Sequence, residues 1–234
     1  MTGFELHTDP DLLAHYEGII LSTHSEYWSR AMYAGLKQFH EQHGLWIINL
    51  SGNSIYREVE FSNDGSLRCV SLSFADSVED ETQLLGVRFD DYDYGTCAPF
   101  KILRPEHWVF SNLPINPEYP YFGSLSLNQN TCHRNIRYDP GRPGMSYGLK
   151  GHGASGWETD KLSATAPDDI VMVAKGMNGR NMGANMVVRN PGGNRGGMFS
   201  ASSLLFGASL AIDTVASGIV KNVILSINDK IGQN

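Results

Sequence analysis

The chain is expected to be an α/β protein built on a parallel sheet. Two observations point there. An apolar run over 18–22 (GIILS), a helical stripe and a second apolar run over 45–50 (LWIINL) follow one another near the start. The same α/β patterning returns from Asp169 onward, after a middle stretch that lacks it.

Taken in order, residues 4–8 form a short strand candidate, and Asp9-Pro10-Asp11 opens a helical turn through Leu12, Leu13 and Tyr16. Residues 18–22 are a short apolar run bounded by turn signals, the mark of a buried strand. The next helix is expected over 25–43, because Trp28, Met32, Leu36 and Phe39 recur at spacings of four, four and three. That is one stripe of a helix laid on a sheet. Gly44 closes the helix as a C-terminal cap. Residues 45–50 form the second buried strand, which ends in Ser51-Gly52-Asn53. Strand, helix and strand in this order make a parallel βαβ unit.

From residue 54 to about 162 the helical period is lost, and prolines, glycines and aromatics are scattered through the chain. Short strand candidates lie over 55–61, 67–74, 84–89 and 107–110. The stretch reads as a β- and loop-rich insertion in the middle of a single domain spanning 1–234. Residues 169–175 (DIVMVAK) are again a buried strand. Residues 184–189 pair with 197–203 across the turn signal Asn190-Pro191-Gly192-Gly193-Asn194. A closing helix over 211–228 carries Ile212, Val215, Ile219, Val223 and Ile227 on one face.

Composition narrows the function. Apolar residues make up 41% of the chain, which is ordinary for a folded domain. No apolar run approaches the roughly 20 residues that span a bilayer. The start, Met1-Thr2-Gly3-Phe4-Glu5, has neither the basic nor the apolar region of a secretory leader, so a cytoplasmic location is expected. A net charge of −7 without a basic stripe argues against nucleic acid as a partner. Cys69, Cys97 and Cys132 are far apart and odd in number, which fits free thiols in a reducing compartment.

Ligands of open parallel sheets bind at the C-terminal ends of the strands. Two such ends are visible, one followed by His24 and Glu26 and the other by Ser51, Gly52 and Asn53. If the strands are neighbours, an imidazole, a carboxylate and a carboxamide meet at one crevice. A carboxylate holds a hard metal or moves a proton, an imidazole titrates near neutrality, and a carboxamide donates to an oxyanion. The competing account is structural: Thr23-x-x-Glu26 is also a capping-box pattern at a helix start. A second acidic segment, Gly153-Ala154-Ser155-Gly156-Trp157-Glu158-Thr159-Asp160, is either a close-approach loop around a functional acid or a solvated loop. Asp90-Asp91-Tyr92-Asp93-Tyr94 lacks the ligand spacing of an EF-hand. The pair Cys132-His133 has no second pair to make a zinc site. No G-x-S-x-G elbow occurs.

The runs IILSTHSEYWSRAMYAGLKQF and LWIINLSGNSIYRE resemble the C-terminal domain of the N,N-dimethylformamidase large (beta) subunit and its relatives. The shared pattern is a strand, H-x-E-Y-W-[ST], a helix, and a strand ending G-[GN]-N. DIVMVAKG, GANMVVRNPGGNRGGMFSASSLLFGASL and the last helix resemble that family's closing segments, and ASGWETD matches within the middle. The resemblance implies a flavodoxin-like parallel sheet, related to class I glutamine amidotransferase domains but without their cysteine nucleophile. It implies an amide hydrolase with a mononuclear iron held by two tyrosines and a glutamate. By motif position Glu26 would be the iron ligand, His24 its neighbour, Asn53 a substrate-side polar group and Glu158 the carboxylate that moves the proton. It also implies a small amide substrate, a homo-oligomer, and a small partner subunit or upstream domain, with no nucleic acid or membrane. One departure stands out. The family's tyrosines lie upstream of H-x-E-Y-W, where this chain has only Tyr16, and the first strand of a doubly wound sheet is missing. Two readings therefore stand side by side: an amide hydrolase, and a non-catalytic α/β binding or assembly domain that has lost the metal site. A third, a metal-free amidotransferase-like hydrolase using His24, lacks a placed cysteine.

Overall fold

A computed structural model describes residues 1–89, 96–124, 153–179 and 182–228. It also gives the backbone of a two-strand hairpin, β10 (Arg137–Tyr138) and β11 (Ser146–Tyr147). The fold is organised by β3 (Trp46–Ser51), every residue of which is buried. Its side chains alternate between two apolar clusters: Trp46, Ile48 and Leu50 enter one, Ile47 the other. A strand covered on both faces reads as one continuous apolar run, and this one does.

β3 lies between β1 (Gly18–Thr23) and β16 (Met198–Ser200) and is parallel to both. Beyond β16 each neighbour is antiparallel: β15 (Asn185–Arg189), β14 (Val171–Gly176), β8 (Phe100–Ile102) and β9 (Tyr121–Phe122). The result is a seven-stranded sheet of order β1-β3-β16-β15-β14-β8-β9. The expected flavodoxin-like parallel sheet is therefore not formed; the sheet is mixed, and parallel only across β1, β3 and β16. Connection length is the reason. Segments 177–184 and 190–197 are too short for the crossover of a dozen or more residues that a parallel pair needs, so the chain doubles back. The predicted pairing across the Asn190–Asn194 turn signal is present, with Gly193 in the left-handed region at φ +59°.

Smaller sheets surround this one. They are β2 (Tyr27–Trp28) with β4 (Arg57–Phe61) and β5 (Leu67–Ser71); β6 (Val87–Phe89) with β13 (Asp160–Leu162); and β7 (Cys97–Ala98) with β12 (Ser155–Gly156). Helix α2 (Arg30–Gln42) covers one face of the main sheet, where Met32, Leu36 and Phe39 join Ile47 and Met198. Helix α6 (Thr214–Asn228) covers the other, where Val215, Ile219 and Val223 join Trp46, Ile48 and Phe199. Each such side chain contributes about 1.5–3 kcal/mol by leaving water. Short helices α3 (Phe74–Ser77), α4 (Thr82–Leu85) and α5 (Phe206–Ser209) complete the connections.

Several local expectations change. Residues 4–8 are helical, within α1 (Gly3–Thr8). Thr2 Oγ1 accepts from Glu5 N–H at 3.2 Å while Glu5 receives the Thr2 N–H at 2.6 Å, and this reciprocal cap outweighs the strand-like alternation. β1 is an edge strand rather than a buried one, with Ile20 half-exposed. The 84–89 candidate divides at Gly86 (φ +69°) into α4 and β6, and the 107–110 candidate is a 3₁₀ turn at Trp108–Phe110. α6 starts only at Thr214, capped by Asp213 Oδ1, which leaves Ile212 exposed ahead of it. Cys97 is disulfide-bonded and Cys69 is free, so the expectation of free thiols fails at Cys97. The acidic segment 90–94 and the Cys132-His133 pair lie outside the described residues. Among the described residues no helix is long and apolar enough to cross a membrane.

Helix α2 also buries His40. Its Nδ1 lies 2.9 Å from the Leu45 carbonyl and its Nε2 lies 3.1 Å from Arg189 Nη2, so Nδ1–H donates and Nε2 accepts. Burial pushes its pKa down to about 4. The unfolded chain then binds more protons than the folded one between pH 4 and the ordinary histidine value of about 6.5. The stability supplied by neutral His40 is complete above that window and is lost as pH falls through it, up to about 3 kcal/mol. His40→Gln should flatten this dependence: the gap between urea midpoints at pH 7 and pH 4.5 should shrink relative to the parent. An unchanged gap would refute the assignment.

Candidate active site

The parallel register aligns the ends of β1 and β3, with Thr23 opposite Ser51. Thr23 then turns the chain at φ +61°. Ser51 Oγ ties the two loops, donating to Thr23 O and accepting the Ser25 N–H at 3.2 Å. The chain does not enter the helix here. Ile55 N–H donates to Ser25 O, and the N–H groups of Tyr56 and Arg57 both donate to Glu26 O, at 2.9 to 3.0 Å. This draws Tyr27–Trp28 into parallel pairing with Arg57–Glu58. Helix α2 begins only at Arg30, where Ser29 Oγ accepts the Met32 N–H at 3.3 Å. The capping box expected at Thr23 and Glu26 is thus not formed: tertiary backbone pairing takes residues 25–28, and Thr23 Oγ1 donates to Ser22 O instead.

Freed from a capping role, the Glu26 side chain turns to other side chains. Arg57 Nε donates to Glu26 Oε1 in an ion pair. Glu26 Oε2 lies 3.4 Å from His24 Nε2, and the same His24 Nε2 lies 3.0 Å from Glu158 Oε2. His24 therefore bridges two buried carboxylates that are far apart in sequence, while its own side chain is 40% exposed and open to a ligand. Glu158 arrives from the β12–β13 connection. Its carbonyl accepts the Leu204 N–H at 3.1 Å, and its neighbours are held by Ser203 Oγ, which accepts the Gly156 N–H at 2.9 Å, and by Ser202 O, which accepts the Asp160 N–H at 2.9 Å. Ser202 and Ser203 follow β16, so all three parallel strands deliver their C-terminal ends to this place, as open sheets with parallel strands do.

Asn53 reaches the cluster from the β3 end. It sits at φ +56°, and its N–H donates to Asp160 Oδ1 at 2.6 Å. Its side-chain Oδ1 is buried and makes no hydrogen bond among the described residues. Burial pushes the pKa of Asp160 up to about 7, against the pull of the Asn53 N–H; the charge of nearby Glu158 adds to the rise. The structure thus brings His24, Glu26 and Glu158 into contact and joins Asn53 to them through Asp160. Sequence reasoning does not single out Arg57 or Asp160. Asp160 is two residues beyond Glu158 in the same acidic loop, a signal that could have found it. Arg57 lies 31 residues from Glu26, and no local spacing announces the pair.

A cleft of about 510 Å³ runs along β1 and meets the cluster at His24 and Tyr27; Tyr16, Ile20 and Leu6 line its walls. The iron that the resemblance implies needs a glutamate and two tyrosines. Both oxygens of Glu26 are engaged, by Arg57 and by His24. Tyr16 lies on the cleft wall and is more than half exposed, and the Tyr27 phenol is pushed up in pKa by burial and by the charge of Glu26. Among the described residues no three His, Cys, Asp or Glu side chains form a group able to hold a metal ion. Among the described residues this donor set supplies the carboxylate and not the tyrosine pair.

The site is thus an imidazole beside two buried carboxylates at the ends of the parallel strands of an α/β protein. Residues 1–219 match the family described as N,N-dimethylformamidase beta subunit-like, C-terminal, and the chain belongs to that family. No curated protein matches it.

Gly52 offers a direct check on the geometry. A Cβ at this position would run into the backbone carbonyl of Glu158 and the N–H of Leu204. Gly52→Ala should therefore push Glu158 away from His24. A crystal structure or a histidine NMR titration of the folded variant should show the His24 imidazole and the Glu158 carboxylate moved out of hydrogen-bond reach. A Glu158 that stays beside His24 would contradict the packing described.

Proposed function

We propose that this chain carries an amide-hydrolysing site for small amides, in which Glu158 moves the proton and His24 holds Glu158 in position. The observation that carries the reading is the His24 imidazole standing between Glu26 and Glu158, 3.0 Å from the latter. Membership of a dimethylformamidase-like family supports the reaction class. The non-catalytic reading requires Glu26 to bind backbone amides at a helix start, and its partners are Arg57 and His24 instead.

In this reading a water beside Glu158 attacks the amide carbonyl carbon as Glu158 takes its proton. The tetrahedral species collapses with cleavage of the C–N bond. The same proton passes to the departing nitrogen, giving an acid and an amine. Glu26, neutralised by Arg57, holds the imidazole in place. The Asn53 carboxamide is buried with its Oδ1 making no hydrogen bond among the described residues, and in this reading it steadies the substrate's polar atoms. A partner subunit belongs to the same reading, since the family is named for a beta subunit.

Amine release from formamide, N-methylformamide and N,N-dimethylformamide tests it. Glu158→Gln and His24→Ala should each lower kcat/KM by roughly 10²–10⁴-fold, the usual worth of positioned proton transfer, with little change in melting temperature. A Glu158→Gln protein that keeps the parent rate would overturn the assignment.

A further inference from the structure

The group nearest Glu26 that bears a permanent positive charge is Arg57, and it is held there twice. Its backbone N–H donates to the Glu26 carbonyl at 3.0 Å, and its Nε donates to the Glu26 carboxylate. Strand register adds a third restraint, because Arg57 lies opposite Tyr27 in the β2–β4 pair, and the guanidinium carbon sits 5.6 Å from the centre of the Tyr56 ring. Among the described residues only Nε is committed: neither Nη group donates to a protein acceptor there, and the side chain remains 30% exposed. A guanidinium stays charged at every working pH and presents its donors as a rigid planar fork. A metal ion seeking the same carboxylate would share it with that fixed charge on Oε1 and be repelled by it.

We propose that Arg57 is the resident cation of this site: its Nε fixes Glu26, and its two Nη groups receive the carbonyl oxygen of the amide, the work that a metal ion would otherwise do. As water adds to the carbonyl carbon, the oxygen gains negative charge and the Nη–H bonds to it strengthen. No proton leaves the guanidinium, and the proton traffic stays with Glu158. Such donors act where charge develops, so removing them lowers kcat more than it raises KM. The proposal rests on the amide-hydrolysing reading for its catalytic half. Its metal half stands by itself.

The test uses the full chain as purified, with Arg57→Ala, Arg57→Lys and, as a second truncation in case the first misfolds, Arg57→Met. Iron content is measured by elemental analysis, and ferrous-ion affinity by titration calorimetry. The parent should hold well below one iron per chain, and its turnover should survive a chelator. Arg57→Ala should lose on the order of 10²-fold in kcat with little change in KM, and millimolar guanidinium should restore part of it while leaving the parent unaffected. Arg57→Lys should not replace the fork. A parent with one iron per chain and chelator-sensitive turnover would overturn the proposal, as would an Arg57→Ala protein with an undiminished kcat. If the parent hydrolyses no amide, the amide reading fails and the affinities decide the rest. Tighter iron binding by Arg57→Ala or Arg57→Met than by the parent supports Arg57 as the cation that excludes the metal, and equal affinities refute it.

Discussion

Asn49 is the residue on which the site's architecture turns. It is fully buried at the fourth position of β3, where the strand's other residues are mostly apolar. Its Nδ2 donates to Ser200 Oγ on β16 at 2.9 Å, and its Oδ1 accepts the Ser51 N–H at 3.2 Å and the Ser54 hydroxyl at 2.9 Å. Ser200 Oγ in turn lies 2.9 Å from Ser202 Oγ. One carboxamide thus sets the register of two parallel strands and the course of both segments that leave them. A buried polar group costs about 1–3 kcal/mol when its partners are removed, so this network tolerates one arrangement and penalises slipped ones.

Everything in the cluster follows from that alignment. The 52–55 loop can carry Asn53 and Ile55 in the left-handed region because Asn49 and Asp160 hold it from two sides. The 201–204 segment can accept the β12–β13 connection because Ser202 and Ser203 are already fixed. Close approach then becomes a steric requirement. Gly52 lies against the Glu158 backbone, and Gly156 lies against Thr96 and Cys97, with no room for a Cβ at either place. The antiparallel half of the sheet plays a different part. β14, β15 and β8 supply the apolar mass that anchors β16, and α6 seals it from behind.

Much of this is legible in the sequence where local pattern and tertiary demand agree. The stripe Met32, Leu36 and Phe39 faces the sheet, residues 45–50 are buried, and Thr23 meets Ser51 because β1 and β3 are parallel neighbours. Three things are not legible, each for a physical reason. Strand direction beyond β16 depends on connection lengths rather than on apolar runs, and parallel and antiparallel buried strands carry the same composition. The start of α2 depends on residues 55–57 taking the backbone of residues 25 and 26, a contact across a loop that no helical spacing encodes. Arg57 reads as an ordinary strand cation until β2 forms beside it. The Glu5 capping box is the reverse case: a short local motif is present in residues 2–5 and outweighs the alternation that suggests a strand there.

Charge balance constrains what the cluster does. Glu26 and Arg57 cancel, so Glu26 contributes position more than field. A buried carboxylate without a partner is costly, and among the contacts of Glu158 is the half-exposed His24, whose other carboxylate neighbour is already neutralised. Asp160, with its pKa raised to about 7 by burial, keeps part of its population neutral near physiological pH and so limits the negative charge behind Asn53. The imidazole therefore faces one effective carboxylate at its buried end and solvent at its open end. In the proposed reading that asymmetry leaves the buried negative charge on Glu158, the carboxylate that takes the proton from water, while the Arg57 fork beside Glu26 carries the positive charge.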